Sequence, residues 1–140
     1  DNGELIWDGK ERIYNEGTPN IKKFRLYSEL INPREIPIEI VSIEYNIPEI
    51  KFKKRENRII TVYKDNNVII SPNGFIKTNS TIVYAFERIN NKMDIEINVT
   101  YRNYGEKNNN FQSYNKGECR LIEYKNYYEL DCIILESYTT

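Results

Sequence analysis

The sequence contains no histidine, and only two cysteines, one methionine and one tryptophan. Without histidine there is no Ser–His or Cys–His nucleophile pair and no imidazole general base. Two cysteines alone do not supply the four ligands of a structural zinc site, so we expect neither a metal nor a cofactor. The chain also lacks a Walker-type loop, a GxGxxG fingerprint and an HExxH motif. We therefore expect that the protein is not an enzyme.

Positive and negative charges nearly balance. The sequence has 20 Lys and Arg residues and 21 Asp and Glu residues, which gives a net charge of −1. This balance creates no global field toward nucleic acid or an anionic membrane, and we expect no nucleic-acid partner. No apolar run reaches the roughly 18 residues of a transmembrane helix, and no signal peptide is visible. Since the chain begins at Asp1 without Met, we expect a processed or trimmed start. A leader or membrane anchor upstream of Asp1 is compatible with this expectation.

Alanine, the best helix former, occurs once, whereas isoleucine occurs 22 times and tyrosine 12 times. β-Branched and aromatic side chains fit a pleated, half-buried sheet, and alternating runs recur between polar connections. A chain of this length can bury one sizeable core. We predict a single all-β domain over residues 1–140, an immunoglobulin-like antiparallel β-sandwich of about seven to nine strands.

One predicted strand changes its alternation part-way. Ile38 and Ile40 share one phase, whereas Val41, Ile43 and Tyr45 carry the apolar face afterwards. Because side chains alternate with a period of two, such a slip indicates a β-bulge or a bend from one sheet to the other.

A first hairpin is predicted about a turn at Asn90 and Asn91, because Asn tolerates the positive φ of primed turns. The register counted outward from this turn makes one face of both strands apolar. The facing pairs are Phe86–Ile95, Tyr84–Ile97 and Ile82–Val99. On the other face, Asp94 and Glu96 form a carboxylate pair that we interpret as solvating rather than catalytic.

A second hairpin is predicted about Lys125 and Asn126, with Leu121 opposite Leu130 and Cys119 opposite Cys132. The cysteine pair falls at a non-hydrogen-bonded position, where Cα atoms about 4.5 Å apart suit a disulfide. We favour this disulfide over two free buried thiols. It implies an oxidising, extracytoplasmic location, whether periplasmic, secreted or cell-surface.

Two segments are candidate binding surfaces. The first is a basic cluster, which is either an anion site or an edge strand whose charges prevent aggregation; we favour the edge strand. Its members are Lys51, Lys53, Lys54, Arg55 and Arg58. The second is the polar segment 103–116, which we predict to be a long recognition loop carrying Tyr104, Phe111 and Tyr114, since aromatic loops on rigid sandwiches often bind partners. The alternative is that Tyr is simply this chain's preferred strand residue.

Two Asn-X-Ser/Thr sequons, at Asn79 and Asn98, mark accessible positions for N-glycosylation. Both are compatible with a surface protein.

The stretch from Leu30 to Tyr101 contains a series of turn and strand segments: Asn32-Pro33, Ile36-Pro37-Ile38, a long predicted strand ending near Tyr45, Ser71-Pro72-Asn73-Gly74 and a predicted strand ending in Ile97-Asn98-Val99-Thr100-Tyr101. With these segments it resembles an immunoglobulin-like or fibronectin-like sandwich, and their order is also similar to water-stress-type sandwich domains of late-embryogenesis-abundant proteins. The resemblance implies a fold and carries over no functional residue.

We therefore expect a non-enzymatic extracytoplasmic domain that binds protein or glycan in a cell-envelope, secreted or surface-appendage assembly. The alternative is an inhibitor or immunity protein that blocks a secreted enzyme. The sequence leaves the partner and the oligomeric state open.

Overall fold

The computed structural model describes residues 22–52, 56–63, 68–78, 81–85, 91–125 and 128–140. Within these ranges the chain forms ten β-strands and no helix, which confirms the all-β prediction. The strands are β1 (Lys22–Leu26), β2 (Glu29–Ile31), β3 (Ile38–Asn46), β4 (Arg58–Val62), β5 (Val68–Ile70), β6 (Phe75–Lys77), β7 (Thr81–Ala85), β8 (Lys92–Asn103), β9 (Asn110–Glu123) and β10 (Tyr128–Thr139).

Most strands belong to one large sheet in the order β4-β3-β8-β9-β10-β1-β7, with β5 pairing β3 on the same side as β4. The sheet is mixed, because β1 and β10 run parallel while the other described pairs are antiparallel. It curls into a half-barrel, and a separate two-stranded sheet joins β2 to β6. The finer prediction of an immunoglobulin-like sandwich of two packed antiparallel sheets is therefore not confirmed.

The core lies on the concave face of the large sheet. Ile40, Ile43 and Tyr45 of β3 are buried there together with Ile95 and Val99 of β8. The alternate residues of the same strands lie on the convex side, as the period of two requires, and most of them are half-buried or exposed. A cavity enclosed by the curled sheet would therefore lie on its concave face.

The predicted change of phase in the third strand is confirmed as a β-bulge. The register of β3 against β8 shifts between Ile40 and Ser42, so that Val41 is the extra residue. Ile40 and Ile43 both remain buried on the concave face despite their odd spacing. The bulge bends the strand and contributes to the curl of the sheet.

The first predicted hairpin is wrong. β7 pairs with β1, whereas β8 pairs with β3 and β9, so Ile82 faces Arg25 and Val99 faces Ile43. Phe86 and Asn90 lie outside the described residues. The pairing failed because alternation fixes which face of a strand is apolar but not which apolar strand it meets.

The second predicted hairpin is confirmed in its register. Leu121 faces Leu130, Arg120 faces Asp131 and Cys119 faces Cys132. The two cysteines form a disulfide with their Cα atoms 4.0 Å apart. The predicted turn residue Asn126 lies outside the described part of the chain.

Candidate binding cleft

The concave side of the half-barrel contains a cleft of about 1170 Å³. We call this space the cleft. It lies between the large sheet and residues 25–34, the segment that runs from β1 through β2. Its apolar wall comes from β3, β5 and β8. The residues of that wall are Ile38, Ile40, Tyr45, Ile70, Ile95, Ile97, Val99 and Tyr101.

The cleft exists because the inward-facing residues of β9 are small or short and polar, whereas the residues of β8 that they face are large and apolar. Ile95 of β8 faces Gly117, Ile97 faces Asn115 and Val99 faces Ser113. Ser113 and Asn115 line the cleft, and large side chains at these two positions would fill the space, as they do in ordinary close-packed interiors. Ser137 and Thr139 of β10 extend the polar wall. The cleft is therefore apolar on the β8 side, whereas the side formed by β9 and β10 combines hydroxyl and amide groups with Leu130 and Ile134.

Two aromatic rings and a guanidinium close one end of the cleft. Tyr101 and Phe111 are paired across β8 and β9 and stack with ring centroids 5.6 Å apart. The Arg34 guanidinium lies 5.3 Å from the Phe111 centroid, within cation–π range. Its Nη1 also donates a 2.8 Å hydrogen bond to Oδ1 of the buried Asn103. This end of the cleft therefore combines an aromatic wall with a positioned positive charge.

The buried side chain of Asn32 connects the rim of the cleft, residues 32–36, to β5 through hydrogen bonds. Its Nδ2 donates to the backbone carbonyl oxygens of Ile36, Ile70 and Ser71 at 2.8, 3.1 and 3.2 Å. Its Oδ1 accepts from the backbone N–H of Arg34 at 3.0 Å. Because Asn32 is completely buried, these bonds meet little competition from water, and they place Arg34 beside the cleft.

A second buried polar contact lies within the cleft. The hydroxyls of Ser28 and Tyr45 are 2.5 Å apart, and Thr78 Oγ1 accepts from the backbone N–H of Ser28. Burial raises the pKa of the Tyr45 hydroxyl above its ordinary value, and the hydrogen bond with Ser28 partly offsets that effect. Tyr45 is therefore a neutral hydroxyl in this wall at physiological pH.

One buried ion pair lies away from the cleft. Arg102 Nη2 is 3.0 Å from Glu39 Oε2, and Glu39 Oε1 accepts from the backbone N–H of Gly105 at 3.3 Å. The pair joins β3 and β8 at the turn that leads to β9. Glu39 is thus engaged in holding this turn. Among the described residues, no group of three or more His, Cys, Asp or Glu side chains is placed to hold a metal ion.

The predicted recognition loop is wrong as a loop, because residues 110–116 belong to β9 and only residues 104–109 connect the strands. The structure also separates its three aromatics. Tyr104 is exposed in the turn, Phe111 lines the cleft, and Tyr114 lies on the convex face, where it stacks on Tyr138 at 5.0 Å. The Asn-rich composition indicates a loop, but pairing with strands on both sides overrides that local tendency. Of the three, Phe111 alone lines the cleft.

The predicted basic cluster is only partly described. Lys51 lies in the connection after β3, and Arg58 begins β4 and pairs with Glu44 at 3.3 Å on the surface. Lys53, Lys54 and Arg55 lie outside the described residues. β4 lies at the edge of the sheet path, but among the described members of the cluster only Arg58 belongs to it, so the edge-strand interpretation of the cluster stays a prediction.

The two sequons have different outcomes. Asn79 lies outside the described residues. Asn98 lies in β8, half-buried, and its Nδ2 donates to Glu44 Oε1 at 3.3 Å. Its glycosylation stays a prediction.

Sequence analysis missed the cleft. The signal was available in β9, where Ser113, Asn115 and Gly117 alternate as small inward residues. Their polar character made the segment resemble a connection. The contribution of Asn32 and Arg34 was not predictable, because Asn32 contacts a residue 38 positions away and Arg34 contacts residues 69 and 77 positions away along the chain.

Comparison of the chain with protein-family models, with curated proteins and with solved structures finds no match in any of the three. Within the described ranges, no helix is long and apolar enough to cross a membrane. The cleft is therefore the structural basis of the functional proposal.

Proposed function

We propose that the protein is a non-enzymatic binding domain of a cell-envelope, secreted or surface-appendage protein, and that it takes its ligand in the cleft. The observation that supports this proposal most is the shape and chemistry of the cleft. Ligand sites are typically concave, of about 300–1,000 Å³, mostly apolar and provided with a few placed polar groups. The cleft has a similar volume, an apolar wall and a positioned Arg34 guanidinium.

The extracytoplasmic part of the proposal is supported by the bond between Cys119 and Cys132. Structural disulfides persist in oxidising compartments and are rare in the reducing cytosol. Cys119 is almost completely buried, whereas Cys132 is half-buried and lines the cleft. A permanently closed disulfide would hold β9 and β10 together beneath the cleft.

The test is a titration of the oxidised, ¹⁵N-labelled protein with two probe classes, pooled random decapeptides and a panel of neutral and acidic oligosaccharides. We expect saturable amide shifts centred on Ile97, Tyr101 and Phe111 with one of the classes. Ser113→Trp fills the cleft and should abolish them, because Ser113 lines it.

The matched control is Gln112→Trp, which adds the same side chain to the neighbouring, outward-facing position of β9. It should leave the shifts unchanged. Binding that survives Ser113→Trp, or the absence of saturable binding by either class, would refute the proposal.

A further inference from the structure

Among the strands that the structure describes, none lies beside one edge of β10 over most of its length. On this side β10 pairs with β1 only at Tyr128 and Glu129. β1 ends at Leu26, and Tyr27 then donates a 3.1 Å hydrogen bond to Glu129 as the chain turns away toward β2. In the part of the chain that the structure describes, no strand pairs with this side of β10 from residue 130 to 139. Ten residues of extended strand correspond to an edge of about 33 Å.

The backbone groups on this edge can be assigned from the antiparallel ladder with β9. Residues of such a ladder alternate between pairs that bond to each other and pairs whose N–H and C=O groups point away. The short Cα separation of Cys119 and Cys132, 4.0 Å, marks a non-bonded pair, whereas Thr140 and Gln112 exchange two backbone hydrogen bonds. A bulge between Ile134 and Glu136 shifts the register between these two markers. The residues that point their backbone groups to the open edge are Leu130, Cys132, Ile134, Ser137 and Thr139.

These same five residues line the cleft. A strand added along the open edge would therefore bond to their backbone and direct every second side chain into the cleft. A small molecule held in the cleft would leave that row of N–H and C=O groups unpaired. The open edge and the apolar wall thus fit one kind of ligand, an extended polypeptide segment.

β10 has no lysine or proline and is 12 residues long, so the bulge between Ile134 and Glu136 and the acidic side chains are the features of this strand that limit pairing at its edge. Ile133 and Leu135 are about two-thirds exposed. Over the open stretch, residues 130–139, β10 has no Lys or Arg and two carboxylates, that of Glu136 and that of Asp131, which pairs with Arg120 at 3.5 Å. Opposite charges on directly facing residues stabilise strand pairs. An added strand should therefore carry basic residues on the face turned away from the cleft.

We infer that the cleft binds an extended segment of another polypeptide, which adds to the open edge of β10 as a strand, with alternate apolar residues in the cleft and Lys or Arg residues outward. The inference rests on the proposed function and names the ligand class of the same site. An apolar small molecule, a glycan or a second copy of this chain are the other occupants that the test distinguishes.

The first experiment is amide hydrogen exchange of the oxidised protein, with and without a decapeptide in which Ile alternates with Lys and Thr. In the free protein we expect fast exchange at Cys132, Ile134, Ser137 and Thr139. The peptide should slow exchange at these four amides at least tenfold. Amides that bond to β9, those of Ile133, Glu136 and Tyr138, serve as internal controls and should change little.

Two further peptides test whether backbone bonds carry the binding. One is N-methylated at its Ile residues and the other at its Lys and Thr residues, so that each loses a different row of N–H donors. One of the two should bind at least tenfold more weakly than the parent, and which one it is reports the direction of the added strand. Equal binding of all three peptides would overturn strand addition.

A pair of protein variants tests the open edge of β10 directly. Ser137→Pro removes an N–H that points to the open edge and no bond to β9, so the fold should persist and peptide affinity should fall at least tenfold. Ser137→Ala should bind like the parent. If Ser137→Pro fails to fold, the exchange and N-methylation results decide alone.

The outcomes separate the two proposals. Binding in the cleft that Ser113→Trp abolishes, but without slowed exchange at the open edge, refutes strand addition and leaves the proposed function standing. Slowed exchange that appears with rising protein concentration and no peptide assigns the edge to a second copy and overturns the inference as stated. No binding of any probe in the cleft refutes both.

Discussion

Replacing Asn32 with leucine should be one of the most damaging single changes in the fold. The side chain makes four hydrogen bonds, three donated by Nδ2 and one accepted by Oδ1. Nδ2 carries only two hydrogens, so its three contacts count as about two full bonds. With about 1 kcal/mol net for each intramolecular hydrogen bond, Asn32→Leu should lower the free energy of unfolding by about 3 kcal/mol.

The surroundings explain why water does not restore this loss. Asn32 is completely buried and Ile70, whose carbonyl oxygen accepts from it, is about 1% exposed. A buried carbonyl without a partner costs about 1–3 kcal/mol. Ile36 and Ser71 lie at the surface, so their carbonyls can turn to water and limit the total cost.

The assay is urea unfolding followed by far-ultraviolet circular dichroism, with Asn46→Leu as the matched control. Asn46 lies in β3 with its Oδ1 buried, and that atom accepts no hydrogen bond from the described residues. Removing it sacrifices no such bond, so Asn46→Leu should change stability by less than about 1 kcal/mol. If Asn32→Leu costs no more than Asn46→Leu, the rim of the cleft is not held by Asn32.

Three further perturbations have expected outcomes. Replacing Cys119 and Cys132 together with alanine opens a loop with a sequence separation of 13 and should cost about 3 kcal/mol in urea unfolding; equal stability of the oxidised protein and the double variant would contradict this. Gly117→Ala should destabilise by about 2 kcal/mol, since a β carbon there would lie 2.0 Å from the Ile133 carbonyl oxygen, and an unchanged melting temperature would disprove that close approach. The pKa of Tyr45 is raised by burial, so the unfolded chain ionises first and stability should fall as pH rises above about 10. Tyr45→Phe should lose less stability than the parent between neutral and alkaline pH, measured by thermal unfolding.

Local features of the sequence were sufficient for several elements. The excess of isoleucine and tyrosine predicted an all-β chain, and the phase change at Val41 predicted the bulge. Counting outward from a turn placed Cys119 opposite Cys132, as in the structure. These predictions succeeded because they depend on the period of two and on residues joined by a short connection.

Only the tertiary structure decided which strands meet and where the cleft lies. Thr81–Ala85 and Lys92–Asn103 have compatible apolar faces, yet they pair with different strands, since alternation is common to all of them. The cleft depends on small residues of β9 facing large ones of β8, and on the reach of Asn32 to Ile70. Such long-range pairings minimise the free energy of the whole sheet, which no single segment encodes. The sequence by itself therefore determined the strand content and the faces of several strands, while the assembled sheet determined that residues 110–116 form a strand and where the cleft and the open edge beside it lie.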